Sequence, residues 1–239
     1  MFAFFVNPMP LLTFPLVLEK KEFLTKDIIE LYFEKPATLS FVAGQFLQFM
    51  IPVAGGTTVP RSYSMASAPD DTQLRFCVKI LPEGKASQHF AAMAVGDKVA
   101  VRGPLGHFTH PHPGAIDAIA TGAGITPIMS IIRDELIYKQ SDFPIHLIFG
   151  VRHQQDIFWQ QELQDLSIQY PTFTYTLTLS QGATDSSWQG ATGRVTTHMP
   201  ATTVGKDFYL CGSTEMVKDT RALLLAKGVD GKKIHLEIF

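Results

Sequence analysis

Residues 110–127, HPHPGAIDAIATGAGITP, mark the point where the sequence changes character. A proline- and glycine-rich turn comes first, and an apolar strand at Ala118–Thr121 then leads into a pair of glycines. Beyond this stretch, apolar strands alternate with helical segments, which is typical of a parallel sheet with helices on its faces. We therefore predict a domain boundary here, with one domain over residues 1–111 and a second over 112–239.

The second domain is predicted to be α/β. Its predicted strands are Ala118–Thr121, Ile145–Val151, Phe173–Leu179, Phe208–Cys211 and Lys233–Ile238. Its predicted helices are Pro127–Lys139, Asp156–Ile168 and Glu215–Ala226.

The first domain shows a period of two instead. Apolar side chains alternate with other residues over 29–34 and over 74–80, which predicts half-buried strands of an antiparallel sheet or barrel. Further strands are predicted at Gln45–Ile51 and Lys98–Arg102, and turns at Gly55-Gly56, Pro69-Asp70 and Gly103-Pro104.

Composition narrows the class of protein. The 239 residues are 46% hydrophobic and 18% charged, which suits a globular fold, and a net charge of −2 gives no reason to expect a nucleic-acid partner. Only Cys77 and Cys211 are present, too few for a zinc or iron-sulfur site, so we expect no metal. Two cysteines also give no disulfide framework, which makes a reducing cytoplasm the expected compartment.

The first eighteen residues, Met1 to Leu18, carry no charge but contain Pro8, Pro10 and Pro15. Prolines break helices, so we expect an extended lead-in, with neither a membrane span nor a targeting segment.

Two motifs of the first domain could hold a phosphorylated aromatic ligand. Pro60-Arg61-Ser62-Tyr63-Ser64 places a cation and a planar ring on one face of an extended segment, although a surface arginine beside a core tyrosine would look the same. Gly84-Lys85-Ala86-Ser87 precedes a predicted helix, Gln88–Ala94, with Ser87 as its expected N-cap. The start of that helix is either a pyrophosphate site or a simple capped turn.

Three motifs of the second domain are candidates for ligand binding. Gly122-Ala123-Gly124-Ile125-Thr126-Pro127 follows a strand, with Thr126 suited to cap a helix and Pro127 to its first position. Cys211-Gly212 ends a later strand, where Cys211 is either a small buried residue or part of a site. The chain ends in Glu237-Ile238-Phe239, so Phe239 is either buried in the core or a flat ring that covers a cofactor.

Taken together and in this order, the motifs closely resemble those of the ferredoxin-NADP reductase superfamily, from about Phe14 to Phe239. The matches are Arg61-x-Tyr63-Ser64, Gly84-x-x-Ser87 and the glycine motif at residues 122–127. The resemblance implies a six-stranded antiparallel barrel that binds FAD, followed by a parallel-sheet domain that binds NADH or NADPH. It further implies a flavoprotein oxidoreductase that moves a hydride from the nicotinamide to bound FAD and passes electrons to an external acceptor.

The resemblance also assigns roles to residues. Ser64, Cys211, Glu237 and Phe239 would surround the hydride path, with Ser64 near the flavin N5, Cys211 near the nicotinamide C4 and Phe239 over the flavin face. Cofactor contacts would come from Arg61, Ser62, Tyr63, Ser64, Val78, Lys79, Gly84, Ala86 and Ser87 on the FAD side. On the nicotinamide side they would come from Gly122, Gly124, Thr126, Pro127, Arg152, Ser180, Cys211 and Gly212, with Phe239 between the two.

Four further motifs are most similar to those of reductase components of bacterial ring oxygenases and of the reductase part of flavohaemoglobins: Gly150-Val151-Arg152, Leu179-Ser180, Trp188-x-Gly190 and Gly193-Arg194-Val195. Those relatives carry an iron-sulfur or haem domain, which this sequence lacks. The acceptor would be a ferredoxin, an oxygenase component or a small molecule. Gln181 stands where NADP-dependent members usually have arginine, so we lean to NADH.

Two other functions fit the same residues. A free flavin reductase would use flavin as a substrate, and a non-catalytic electron-transfer subunit would keep the flavin but not react with NADH or NADPH. The sequence leaves the oligomeric state open.

The run of histidines His107, His110 and His112 could suggest a metal site. No carboxylate or cysteine nearby completes a set of ligands, so we interpret the run as an interdomain loop.

Overall fold

The structure is a computed structural model that describes residues 12–53, 55–182 and 187–239. Its first half is a six-stranded antiparallel sheet with one helix. The strands are β1 (Leu12–Phe23), β2 (Ile28–Glu34), β3 (Phe46–Val53), β4 (Thr57–Ser64), β5 (Gln73–Lys79) and β6 (Lys98–Leu105), and the helix is α1 (Lys85–Ala92). Their order in the sheet is β4-β3-β6-β1-β2-β5.

This sheet curls into a barrel around an aromatic core. Just past β4, the Ala66 N–H donates to the carbonyl of Arg75 in β5 at 2.7 Å, so the two edges of the sheet meet. The fully buried rings of Phe33, Phe49 and Phe76 pack at an angle to one another, with centroids 5.0–5.8 Å apart. Alternating side chains of the strands thus fill the barrel, as the period of two predicts.

The second half is a parallel sheet with helices packed on it. The strands are β7 (Ala115–Thr121), β8 (Ile145–Val151), β9 (Phe173–Leu179), β10 (Ala191–Thr192), β11 (Lys206–Gly212) and β12 (Ile234–Ile238). The helices are α2 (Ile125–Arg133), α3 (Gln160–Gln169) and α4 (Thr214–Ala226), and a π-helical turn (Asp134–Tyr138) continues α2.

The strand order is β10-β9-β8-β7-β11-β12. Strands β8, β9 and β10 are added in turn on one side of β7, and β11 and β12 are added on its other side. At such a switch point two neighbouring strands send their connections to opposite sides, which opens a crevice at their carboxyl ends. The glycines that follow β7 and those that end β11 therefore meet at the place where this class of sheet binds ligands.

The predicted architecture is confirmed, and several local expectations are wrong. Gly103-Pro104 is not a turn but part of β6, because pairing with Leu12 in β1 and Phe46 in β3 carries the strand through it. Residues 60–64 are extended as expected, and they belong to strand β4 at the edge of the barrel sheet. α3 begins at Gln160, four residues later than predicted, because a 3-10 turn and a left-handed Trp159 precede it.

The predicted N-terminal lead-in lies partly outside the described residues, which begin at Leu12. The part that is described, including Pro15, is extended but forms the paired strand β1, with Pro15 opposite Ala100. None of the helices in the described ranges combines the length and apolar character needed to cross a bilayer.

Candidate functional site

Three glycines make the crevice at the switch point. Gly122 has φ +54°, and a Cβ added to Gly124 would lie 2.3 Å from the Cys211 carbonyl oxygen. Gly212 has φ +152°, and a Cβ there would lie 2.2 Å from the Thr121 hydroxyl oxygen. The turn after β7 therefore packs directly on the end of β11, and only glycine allows that approach.

α2 continues directly from the 3-10 turn Gly122–Gly124, and the N–H of its first residue, Ile125, bonds back to the Gly122 and Ala123 carbonyls. The N-cap is Gly124, and the Thr126 hydroxyl donates to the Ala123 carbonyl at 2.6 Å rather than capping the helix. Pro127 is at the third helical position, not the first, where its missing N–H costs nothing because the first turn has no intrahelical acceptors. The glycine turn and the positive end of the helix dipole suit a phosphate.

The barrel and the C-terminal strand meet beside this crevice. The Ser64 hydroxyl, at the end of β4, donates to Glu237 Oε2 at 3.1 Å. Glu237 is paired in register with Cys211, and the Phe239 N–H donates to the Gly212 carbonyl at 3.0 Å. The structure thus brings together Ser64, Cys211 and Glu237, which are far apart in the sequence.

Burial sets the protonation of this group. It raises the pKa of Glu237 to about 7, and the hydrogen bond from Ser64 only partly opposes that rise. Burial, with a smaller contribution from the Glu237 charge, raises the pKa of the Cys211 thiol well above its ordinary value. Cys211 is therefore a neutral thiol, and Glu237 can hold or release a proton near neutral pH.

Phe239 lies at the open side of the same cluster. Half of its surface, 51%, is exposed, so the alternative that it is buried in the core is wrong. The backbone hydrogen bond holds this half-exposed ring next to Gly212 at the end of β11.

The edge strand β4 presents the cation and the ring that the sequence singled out. Arg61 and Ser62 are exposed, and within the described ranges the Arg61 guanidinium donates only to its neighbour, the Pro60 carbonyl, at 2.8 Å. Tyr63 is half-buried, with its ring edge-to-face against Phe49 and Phe90 at 5.7 and 5.2 Å. Burial raises the pKa of Tyr63 to about 12, so the phenol is neutral and offers a flat stacking surface.

The start of α1 differs from the predicted one. The N-cap is Gly84, which has no side-chain cap, and Ser87 lies inside the helix. The Ser87 hydroxyl donates to the Gly84 carbonyl and accepts from the Leu81 N–H, both at 3.0 Å. Ser87 therefore fastens the preceding turn, and the free N–H groups that could receive a phosphate are those of the uncapped first turn.

The other FAD-side residues lie close to these elements. Val78 has its side chain in the barrel core, Lys79 is exposed at the end of β5, and Ala86, the second residue of α1, is buried against the barrel core. An exposed arginine, a half-buried tyrosine and an uncapped helix start on one barrel fit the charge, the flat ring and the pyrophosphate of FAD.

Arg152 and Ser180 follow β8 and β9 at the carboxyl edge of the parallel sheet. Both are exposed, and the two segments run side by side. The Ser180 N–H donates to the Val151 carbonyl, and the Gln181 N–H donates to the Arg152 carbonyl. They lie on the same edge as the switch point, beyond β7.

The sequence missed two residues of the site. The Thr121 hydroxyl accepts from the Ser213 N–H at 3.3 Å and holds the end of β7 to the loop after β11. Tyr209 in β11 hydrogen-bonds His110 across the domain junction at 3.0 Å. The position of Thr121 directly before the glycine pair was a usable signal for the first, whereas nothing near Tyr209 indicated its partner.

The histidine run lies in the loop after β6, and only His110 among its members is buried. Among the residues that the structure describes, no three metal-ligating side chains come together.

Each half of the chain matches a known protein-domain family. Residues 15–110 match the oxidoreductase FAD-binding domain family, and residues 118–222 match the oxidoreductase NAD-binding domain family. The barrel, the switch point and the family matches together define a chain with one FAD-binding and one NAD-binding domain of the oxidoreductase families.

Similar proteins of known function identify the family to which the chain belongs. Ferredoxin–NADP reductase B of Sorangium cellulosum is 32% identical over 233 residues, which cover 90% of this chain and 92% of that protein. The ferredoxin–NAD(P)+ reductase component of the naphthalene 1,2-dioxygenase/salicylate 5-hydroxylase systems of a Ralstonia species is 31% identical over 228 residues. The chain belongs to the ferredoxin-NADP reductase superfamily.

Coverage differs between these relatives. The match spans 90% of this chain but 65% of the Ralstonia protein. The crystal structure of the Amycolatopsis cytochrome P450 reductase GcoB superposes with a TM-score of 0.85 at 26% identity, over 96% of this chain and 70% of that one.

Proposed function

We propose that this protein takes a hydride from NADH or NADPH onto FAD held by the barrel and passes the electrons to a separate acceptor. The observation that carries the proposal is the Ser64–Glu237 hydrogen bond beside Cys211, because it joins the flavin side of the barrel to the switch point of the parallel sheet. We also propose that the two domains divide at residues 111 and 112, in the loop after β6.

On the barrel, Arg61 would hold the FAD phosphate and Tyr63 would stack on the flat ring. The first turn of α1, from Gly84 to Ser87, would receive the pyrophosphate on its N–H groups, that of Ala86 among them. Ser62, Val78 and Lys79 would complete the contacts, Val78 through its backbone because its side chain lies in the core.

On the parallel sheet, the turn at Gly122–Gly124 and the start of α2, including Thr126 and Pro127, would receive the coenzyme phosphates. Arg152 and Ser180 would lie along its adenosine end. Cys211 and Gly212 would flank the nicotinamide, where the small side chains at the end of β11 leave room for a ring.

FAD, when bound, accepts a hydride and releases electrons singly or in pairs. The chain's own residues would orient the cofactors and manage one proton. Ser64 donates to Glu237 and can turn its hydroxyl toward a ring nitrogen, and Glu237 can hold or release a proton near neutral pH because burial raises its pKa to about 7. Phe239 would shield the reacting faces from water until the nicotinamide displaces it.

The acceptor is proposed from the named relatives. Several are electron-transfer or reductase components of dioxygenase systems, among them the toluate 1,2-dioxygenase electron transfer component of Pseudomonas putida. We propose a ferredoxin or an oxygenase component as the acceptor, and the cytoplasm as the compartment, in keeping with the two free and buried cysteines.

We propose NADH as the preferred coenzyme. Gln181 brings no charge to the end of β9, and Arg194 is already paired with Glu215 at 2.5 Å on the surface. Arg152 would be the remaining cation for an extra phosphate, which is less than a dedicated site provides.

Anaerobic titration of the purified protein with NADH and then NADPH, followed by flavin absorbance, tests these proposals together. We expect a yellow protein that NADH bleaches at lower concentration than NADPH. A colourless protein that turns over only with added flavin would indicate a free flavin reductase, and a yellow protein that neither coenzyme bleaches would contradict hydride transfer.

A further inference from the structure

The two domains also meet at a cluster of charged side chains outside the site described above. We call it the interdomain clamp; it consists of Glu30, Asp71 and Arg75 from the FAD-binding domain and Arg133, Trp159 and Glu162 from the NAD-binding domain. Its members come from β2, β5 and the β4–β5 turn on one side and from α2, α3 and the residue before α3 on the other.

Arg75 is the centre of the clamp. It is 9% exposed, and it forms a bidentate pair with Glu162 of the other domain, with Nη1–Oε1 at 2.8 Å and Nη2–Oε2 at 2.6 Å. Its Nε donates to Glu30 within its own domain. All three donor groups of the guanidinium are thus directed at carboxylates, which fixes its plane.

Arg133 makes a second bridge between the domains, in which the arginine belongs to the NAD-binding domain and the carboxylate to the FAD-binding domain. At the end of α2, it donates to Asp71 of the FAD-binding domain, with Nη2–Oδ1 at 2.9 Å, and to Glu162, with Nη1–Oε1 at 3.0 Å. Glu162 therefore accepts hydrogen bonds from both arginines. Burial alone would raise its pKa, but the hydrogen bonds and charges of Arg75 and Arg133 hold that pKa below its usual range, so the carboxylate stays ionised.

Trp159 crosses the interface in a strained conformation. Its φ is +57°, a left-handed value that a bulky residue adopts only when its surroundings impose it. Its indole Nε1 donates to Glu30 Oε1 at 2.7 Å, and its ring faces the Arg75 guanidinium at 4.3 Å. The local backbone is thus held in an unfavourable state in order to make a contact between domains.

The clamp is connected to the crevice by α2. The nine residues of this helix begin at the switch-point turn and end at Arg133, a rise of roughly 13 Å. A helix is rigid over that length, so fixing Arg133 against Asp71 also fixes where the start of α2 lies relative to the barrel.

Reaction between ligands on two domains depends on this relative position, because the reacting atoms must approach to about 3–3.5 Å. We propose that Arg75 and Glu162 are positioning residues for hydride transfer: they hold the NAD-binding domain at the distance from the barrel at which the nicotinamide meets the flavin. This inference rests on the proposed function.

The test compares the full-length, FAD-loaded protein with its Glu162→Gln variant, which keeps the side-chain shape and removes the charge. In anaerobic stopped-flow reduction, we expect the first-order rate at saturating NADH to fall about 10- to 100-fold, as a displacement near 1 Å would cause. The NADH concentration for half-saturation should change little, because the coenzyme-binding residues are untouched.

A second measurement needs no coenzyme. The Gly44 N–H donates to the Ser130 hydroxyl across the interface at 3.2 Å, so hydrogen exchange at Gly44 reports domain separation. We expect exchange at Gly44 to be at least several-fold faster in Glu162→Gln. The milder variant Trp159→Phe, which keeps a ring but loses the bond to Glu30, should show the same changes to a smaller degree if Glu162→Gln does not fold.

Asp117→Asn is the matched control. Asp117 is a buried carboxylate that pairs with Lys206 at 2.8 Å inside the NAD-binding domain, so its variant loses a buried ion pair without touching the interface. It should be less stable to heat, yet keep the wild-type reduction rate and Gly44 exchange.

Wild-type rates of both reduction and Gly44 exchange in the clamp variants would overturn the positioning role, as would equal losses in Asp117→Asn. Failure of the proposed function is distinguishable, because it would appear in the wild-type protein as FAD that neither coenzyme bleaches.

Discussion

Glu237 is the residue whose chemistry depends most on its place in the fold. Its carboxylate lies between the Ser64 hydroxyl and the end of β11, and burial raises its pKa from 4.5 to about 7. The folded state therefore binds a proton more tightly than the unfolded chain. This contribution to stability is full below pH 4.5 and is lost as the pH rises through about 7.

We expect Glu237→Gln to remove that dependence. At pH 8 the variant apoprotein should be more stable to unfolding than wild type by up to about 3 kcal/mol, and near pH 4 the two should agree. Urea unfolding at both values measures the difference. The exposed Glu22→Gln is the control, and an equal difference at both values would contradict the raised pKa.

Phe239 is expected to compete with the nicotinamide for one position. Phe239→Ala keeps the backbone bond to Gly212 but removes the ring, so it should tighten NADP+ and NAD+ binding about 2- to 10-fold and slow product release. Deletion of the residue should act in the same direction.

Difference absorbance of the flavin measures this affinity. Leu236→Ala is the control, since Leu236 is also exposed on β12 but lies on the opposite face of the strand. Unchanged affinity in Phe239→Ala would argue against a role for the ring.

Gln181 is the residue that tests coenzyme preference. Gln181→Arg should raise kcat/KM for NADPH about tenfold, because a guanidinium at the end of β9 could pair with the extra phosphate, and should leave NADH little changed. Gln169→Arg adds the same charge on the exposed end of α3 and should have no effect. Equal effects of the two variants would rule out a specific contact.

At the scale of elements, the crevice depends on how closely the turn after β7 approaches β11. A Cβ at Gly124 would lie 2.3 Å from the Cys211 carbonyl oxygen, so the turn and the strand must separate to admit it. α2 would move with the turn, because the helix begins at the next residue.

We expect Gly124→Ala to cost about 1–3 kcal/mol of stability and to weaken NADH binding. Gly114→Ala is the control, because a Cβ there meets nothing within 4 Å. Thermal unfolding and coenzyme titration measure the two effects, and a Gly124→Ala protein as stable as Gly114→Ala would contradict the close approach.

Strands rich in apolar, aromatic and β-branched residues were predictable from the sequence, and elements defined by their partners were not. β8 and β9 have the predicted bounds, because both sequences have high strand propensity. The start of α1 was wrong because Ser87 looks like a cap, whereas its hydroxyl fastens the preceding turn. β4 was missed as a strand because its pairing with β3, rather than its own pattern, defines it.

At the scale of the whole molecule, the sequence predicted two domains and the residues that gather between them. Ser64, Cys211 and Glu237 were expected at one site through the order of the motifs, and the structure brings them together. The interdomain clamp could not be predicted: Arg75 and Glu162 are 87 residues apart, and neither belongs to a motif that names its partner.

The central claim is that a flavin between β4 and the C-terminal strand receives the hydride beside Ser64. The first-order rate of anaerobic FAD bleaching at saturating NADH, compared between wild type and Ser64→Ala, tests it most directly. We predict that Ser64→Ala retains FAD but is reduced at least about tenfold more slowly, as the loss of one hydrogen bond at the reacting centre implies. Equal rates in the two FAD-loaded proteins would contradict the account.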